Sequence, residues 1–486
     1  MNASRPRSEP GQVRSVIVSC QILISNDMAK ASKLVANRSK AMAAEDYVEY
    51  VSGLDTRKSY RLYKRAEKLM PGGASSHGQC YPVFTPYPLG FERGKGSRIW
   101  DLDGNEYLDF VLAMGPLIHG HAHPRLVEAV RDQLGKGTMF AVLHDKEVDL
   151  AEKVCKMTSM DMVRFSNGGS EATQTAVRLA RGYTGKNKII KFEGAYHGGH
   201  DYVLFGGGGP TTGPPSAMYK IPSSWGIPEE TAKNTLVVRW NDADSLEKVV
   251  RRNADDLAGI ISEPVLMNIG TVPPEEGFLQ LMRSLCDEHD MLFILDEIIT
   301  GFRLAKGGAQ EYFGIKADIT TYAKALGGGF PISAIAGRRK IMEDLVPGKV
   351  FHAGTYNANP LCVVAALASL TELERPGTYQ RMKRVGDKLQ AGLEEAIERT
   401  KTTAIVQGIG PGGCQLYFTK LDRIRNYPDY MTCDSQKYLA MHKKLLKKGV
   451  YFHPQQYEHL FVSTQHTEED VEQCVSKVQE SLQELS

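Results

Sequence analysis

Between about residues 145 and 340 the chain repeats one pattern: a brief apolar run, a polar or glycine-rich break, then a stretch with apolar residues at helical spacing. The apolar runs are MVRFS, KIIKF, TLVVRW, AGIISEPV, MLFILDE and ADITTYAK, each of strand length. Strands alternating with helices predict an α/β layer around a mostly parallel sheet. Outside this block the pattern changes. YVEYVSGLDTRKSYRLYKRAEKLM predicts a helix from about Asp46 to Met70, stopped by Pro71-Gly72-Gly73. YPLGFERGKG and SRIWDLDGNEYLDFV predict short strands, with a hairpin turn at Asp103-Gly104. Pro124 opens the amphipathic helix PRLVEAVRDQL, and a long helix, LCVVAALASLTELE, follows Pro360.

The expected architecture is one large α/β domain beside a smaller α+β domain assembled from both chain ends. Residues 1–45 read as a disordered or targeting extension, 46–115 as the first part of the small domain, 116–365 as the large domain and 366–486 as the rest of the small one. Composition narrows the function classes. A net charge of +2 and a pI near 8.0 give no strong field for nucleic acid or a membrane surface. The run VIVSCQILI is far short of the roughly 20 residues that span a bilayer. Eight cysteines without a C-x-x-C pair read as reduced thiols in the cytoplasm.

In open α/β sheets ligands bind at the carboxyl ends of the strands, and four of those ends carry chemistry. MLFILDE ends in Asp296-Glu297, where a carboxylate leaving an apolar strand is a structural ion pair or a functional acid. ADITTYAKALGGGFP ends in Lys324 just before Gly327-Gly328-Gly329. A lysine there either snorkels to solvent or, desolvated, attacks a carbonyl to form an imine. Pyridoxal-phosphate (PLP) chemistry needs such a lysine together with an acid on the pyridine nitrogen. FSNGGSEATQTAVRLARGYTG is a strand, a small-residue turn and a helix with Glu171 in its first turn, which is either an ordinary cap or a phosphate site. KFEGAYHGGHD sets the Tyr196 ring after a further strand, where it suits a flat cofactor.

Taken together, GPLIHGHAHP, NGGSEA, FEGAYHG, SEPV, LDEIITGFR, YAKALGGGFP, HAGTYNANP and QHTEED resemble, in order, the class III aminotransferases of PLP fold type I, and most nearly the glutamate-1-semialdehyde 2,1-aminomutases. The resemblance spans roughly residues 55 to 480. It implies that Lys324 is the Schiff-base lysine and proton shuttle, that Asp296 pairs with the pyridinium nitrogen, that Ile298 packs beneath the ring and that Tyr196 stacks above it. It implies Gly169 and Ser170 at the phosphate, Asn268, after the Glu263-Pro264 pair, near the phenolic oxygen, and Thr355 at the phosphate of a neighbouring subunit, hence a homodimer with shared sites. It assigns no metal to His119, His121 and His123 in the G-H-x-H-P turn. Gly206 to Gly209 lack the lysine-serine pair of a phosphate loop and read as surface loop; Arg178 and Arg181 read as a solvated helix face.

At the substrate end the pattern departs from the aminomutases. The arginine that takes the substrate carboxylate in their P-G-G-V-N-S-P-V-R segment is Gln79 here, in a stretch that includes Ser76 and His77. A neutral amide does not replace a bidentate guanidinium clamp. Their W-G-P tryptophan is Met114, a more adaptable side chain. Glu458 stands where they keep a glutamate. The expectation is therefore a PLP-dependent aminotransferase acting on an amino acid or amine, a β-amino acid among them, and a carbonyl acceptor. The alternatives are intramolecular amino transfer and racemisation or epimerisation on the same scaffold.

Overall fold

The computed structural model describes residues 47–206 and 222–485. The expected extension 1–45 and Gly207 to Gly209 lie outside the described residues. Three short strands, β1 (Phe91–Lys95), β2 (Arg98–Asp101) and β3 (Glu106–Asp109), form an antiparallel meander. The expected Asp103-Gly104 turn joins the last two, with Gly104 at φ +94°. The predicted helix before them is shorter than its pattern, Arg57–Ala66. Gly53, at φ +80°, takes the backbone out of helical geometry, and Asp103 holds the N–H groups of Lys58 and Ser59 where the helix begins.

All six apolar runs form strands of one sheet: β4 (Met162–Ser166), β5 (Lys188–Phe192), β6 (Thr235–Val238), β7 (Leu257–Ser262), β8 (Leu292–Glu297) and β9 (Ile319–Tyr322). A seventh, β10 (Ser333–Gly337), was not signalled by the pattern, because SAIAG is too short and too rich in small residues to stand out. The order is β4-β10-β9-β8-β7-β5-β6, with β10 antiparallel to both neighbours and the other pairs parallel. Every residue of β7, β8 and β9 is buried, as expected of strands covered on both faces. Alternation separates the faces. Phe293 and Leu295 pack with Ile190, Phe192 and Trp240, while Ile294 joins Ile261, Ile319 and the Ala176–Ala180 stripe of the helix Gly169–Thr184.

The C-terminal region adds the hairpin β11 (Ile405–Gly408) and β12 (Cys414–Tyr417), and a two-residue strand β13 (Val450–Tyr451). β13 pairs in parallel with β3, so the meander from the start of the described chain is completed by residues near its end. Leu108 and Phe110 share one apolar cluster with Leu416, Phe452 and Val478. No described helix is long and apolar enough to cross a membrane. Arg178 and Arg181 are partly exposed, and their heads are engaged: Arg178 donates to the Phe351 carbonyl at 3.0 Å, and Arg181 donates to the Asn187 carbonyl at 2.7 Å while lying over the Tyr202 ring.

Candidate active site

Because β5, β7, β8 and β9 run parallel as neighbours, their carboxyl ends open onto one edge of the sheet. Those ends deliver Tyr196, Glu263, Asp296 and Lys324 in that spatial order. Asp296 is the penultimate residue of β8, buried, and faces Thr321 of β9 in register. Its carboxylate accepts from Thr321 Oγ1 at 3.0 Å, from the Ile298 N–H at 3.1 Å and from His197 Nδ1 at 2.7 Å. Burial lowers the His197 pKa, so the neutral ring donates with Nδ1.

Lys324 leaves β9 at φ +40° into a single turn ending at Leu326. A non-glycine residue in the left-handed region costs roughly 1–3 kcal/mol and clusters at functional sites. Burial lowers the amine's pKa; Glu458, Glu263 and Asp296 oppose that shift, and Arg303 reinforces it. Glu458 responds in kind, its carboxyl raised by burial and drawn back by Lys324.

Glu263 ties the next two elements. It accepts from the Tyr196 N–H at 2.9 Å, the Met267 N–H at 3.0 Å and Asn268 Nδ2 at 3.0 Å, and burial, with Asp296 nearby, pushes its pKa to about 7. Tyr196 is thereby anchored by its backbone N–H while the residue as a whole stays 53% exposed. The helix after β4 begins with Gly169 and Ser170, whose first-turn N–H groups have no intrahelical acceptor. Glu171 Oε2 takes the N–H groups of Asn167 and Gly168 and so holds the turn in shape. Ser170 Oγ accepts from Gly199 N–H at 2.9 Å, and a Cβ on Gly169 would sit 3.2 Å from Ile298. These contacts form a small-residue cradle beside Asp296, able to receive a flat ring and an anion.

The substrate-end residues fall in two groups. Glu458 is electrostatically joined to Lys324. Ser76, His77 and Gln79 are exposed on a short turn, which approaches Met114 through Gly78, at 3.9 Å for a Cβ there. Met114 closes a run of left-handed non-glycine residues, Leu112, Ala113 and Met114, at φ 47°, 56° and 64°. That geometry costs roughly 1–2 kcal/mol per residue. Asp109 holds it, its Oδ1 accepting from Val111 and Leu112 N–H at 2.8 and 3.0 Å. Thr355 is exposed, on a turn joined to the cradle through Asn357 and Asn167. The three alternating histidines reach different partners: His119 bonds Ser369 O, His121 bonds Asp109, and His123 lies 4.0 Å from Glu372.

Sequence reasoning missed several residues. His197 as the partner of Asp296 was hidden behind its aromatic neighbour. Thr321 was accessible in principle, since parallel pairing sets it opposite Asp296. Lys191 points inward from β5, and its Nζ donates to Ala195, Val203 and Phe205 carbonyls at 2.8, 2.9 and 2.6 Å, fastening both ends of the loop that carries Tyr196. Nothing in a strand-like KIIKF announces that role.

Residues 83–482 match the aminotransferase class-III family. A glutamate-1-semialdehyde 2,1-aminomutase of Hyperthermus butylicus is 46% identical over 429 residues, 88% of this chain and 99% of that protein. Among solved structures, an omega-transaminase from Sphaerobacter thermophilus superposes with a TM-score of 0.81 at 32% identity, covering 89% of this chain and 98% of that one. A transaminase with PLP bound gives 0.79 at 33% identity, covering 89% and 99%. The sheet with its flanking helices is accordingly that of fold type I. On the matched span, the identity and the shared architecture, this chain belongs to the class-III aminotransferases.

Proposed function

We propose that the chain is a PLP-dependent enzyme that moves an amino group between an amino acid or amine and a carbonyl carbon, working from Lys324. The observation that carries this reading is the placement of a desolvated lysine amine and a triply hydrogen-bonded carboxylate at adjacent strand ends, beside a small-residue helix start. When bound, PLP supplies an electron sink that makes the hydrogen on the amine-bearing carbon acidic. Lys324 would hold the cofactor's aldehyde carbon at rest and, once its amine is released from that carbon, would carry the proton to and from the substrate carbon. Asp296, oriented by His197 and Thr321, keeps a proton on the ring nitrogen. Tyr196 and Ile298 would hold the ring between them, Asn268 would lie toward its oxygen, and Gly169 and Ser170 would take the phosphate. Ser76, His77, Gln79, Met114 and Glu458 form the substrate end.

Intramolecular transfer is the second reading, favoured by the 46% identity to an aminomutase. Wild type should carry a yellow chromophore that borohydride bleaches while fixing the cofactor covalently to the chain, and Lys324→Ala should show neither; a wild type without a yellow, reducible chromophore overturns the proposal. A single turnover with an amino donor then separates the two readings, because only a transaminase releases a keto product.

We also infer a homodimer in which Thr355 serves the partner's phosphate site. Val142 and Leu143, each 73% exposed, and Tyr356, 65% exposed, lie on two segments tied by Asn359 Nδ2 to Thr138 O and by His144 Nε2 to Ala358 O, and these exposed apolar side chains, with Thr355 on the second segment, support that reading. Sedimentation as a monomer at micromolar concentration would refute it. The division into a small domain from both chain ends (46–115 and 366–486) and a large one (116–365) is supported by the pairing of β3 with β13. A cytoplasmic setting is supported by the scattered cysteines.

A further inference from the structure

Arg303 is fully buried, yet its guanidinium bonds no carboxylate among the described residues. Nη1 donates to the Val462 carbonyl at 3.2 Å and Nη2 to the Gly115 carbonyl, the cation lies 4.8 Å from the centre of the Phe461 ring, and Nε has no acceptor among the described residues. Buried charges are ordinarily paired, and an apolar side chain of similar size would fill such a place more cheaply. The two carbonyls are informative. Gly115 ends the left-handed Leu112–Met114 run, and Val462 follows the segment that carries Glu458. A Cβ on Gly115 would strike the Phe461 ring at 2.7 Å, so loop, ring and guanidinium form one packed stack. Beyond that stack, Leu117 lies against Gly329, in the turn that follows Lys324.

We propose that Arg303 is a positioning residue that clamps the strained Leu112–Gly115 loop, and with it Met114, to the Glu458 segment while setting a positive field at Lys324. The proposal rests on Lys324 being the cofactor-holding amine. The groups facing that amine are Glu458, Glu263 and Asp296, which favour its charged form, and Arg303, which opposes it; His459, its ring tilted against Phe461, is kept neutral by burial and by both cations. Arg303 is therefore the one cation among these that holds the amine's affinity for protons down. Its bidentate planar grip on two carbonyls is something a lysine does not reproduce.

Two variants separate the grip from the charge. Arg303→Lys keeps the cation and loses the two-point grip; Arg303→Met loses both, with Arg303→Gln replacing it if the Met protein does not fold. Each is measured as holoenzyme by pH titration of the visible cofactor band, by kcat and KM for an amino donor, and by thermal melting. The lysine variant should keep the wild-type titration midpoint while KM rises roughly tenfold. The methionine variant should show the same rise in KM and a midpoint moved to higher pH. A lower melting temperature with midpoint and KM unchanged in both variants would reduce Arg303 to a packing residue and overturn the proposal. A wild-type protein without a visible band would instead sink the reading of Lys324, which keeps the two failures distinct.

Discussion

His197 donates its Nδ1–H to Asp296 Oδ2 across 2.7 Å, with both side chains buried. The relationship ties the loop after β5 to the end of β8, and so the Tyr196 segment to the acid. His197 Nε2 has no partner among the described residues. Replacing His197 with Phe keeps the ring volume and removes the donor, leaving Asp296 with two of its three contacts. The cost should be about 1–3 kcal/mol, seen as a lower urea midpoint for the cofactor-free protein. An unchanged midpoint would mean the pair contributes nothing to folding.

Stability should peak near neutrality, for two opposed reasons. Burial pulls His119, His200 and His442 down to about 3 and His453 to about 4, and lowers His197 and His459 as well. The unfolded chain takes up those protons first, so the histidine contribution is complete above about pH 6.5 and is lost as pH falls below it. Glu193, Glu263 and Glu297 are pushed up to about 7, so theirs is present below about pH 4.5 and lost as pH rises through 7. Six imidazoles outweigh three carboxyls in the shared window. The urea midpoint should therefore climb from pH 5 to about pH 6.5 and slip slightly by pH 8. A midpoint that rises steadily through pH 8 would show that these glutamates are not held protonated.

Much of this was legible because strand-forming runs and strand-end chemistry are local signals. Asp296, Lys324 and the Gly169-Ser170 turn stand beside β-branched or aromatic runs whose period identifies the element. What stayed hidden depends on through-space partners. Arg303 reads as the polar end of a motif until Val462 and Gly115 are seen against it. Leu112 to Met114 carry no glycine to announce left-handed backbone, since tertiary contacts rather than propensity impose it. β10 was missed because Ala and Gly gain strand character here only from the neighbours that cover them.

The Leu112–Met114 run depends on Asp109, which is buried and also bonds His121 Nε2 at 2.7 Å through Oδ2. Asp109→Ala orphans two backbone N–H groups and the imidazole, and should cost about 3–5 kcal/mol. Asp109→Asn keeps an acceptor for the loop and should lose markedly less. Equal losses in urea denaturation would show that the histidine contact, not the loop, is what Asp109 supports.

Glu458 is the foremost carboxylate favouring the charged form of Lys324. Removing its charge in Glu458→Gln leaves burial and Arg303 less opposed, so the amine binds protons more weakly. The acid limb of kcat/KM should move to lower pH, opposite in direction to the midpoint shift expected for Arg303→Met. An unmoved limb would mean that Glu458 does not tune the lysine.

The proposed substrate end includes Gln79. It lies exposed on the turn that meets Met114, with no charge to offer a carboxylate. An arginine there would supply a bidentate, charge-assisted pair, and hydrogen bonds to charged groups are worth about 1.5–3 kcal/mol before solvent screening. Screening at an exposed position trims that value, so Gln79→Arg should lower KM for carboxylate-bearing donors by about tenfold. Amines without a carboxylate have nothing to pair with the new cation, and their KM should stay level or rise. The comparison is internal to one variant, so a general loss of activity cannot imitate it. If both donor classes shift together, or neither moves, position 79 does not select the substrate.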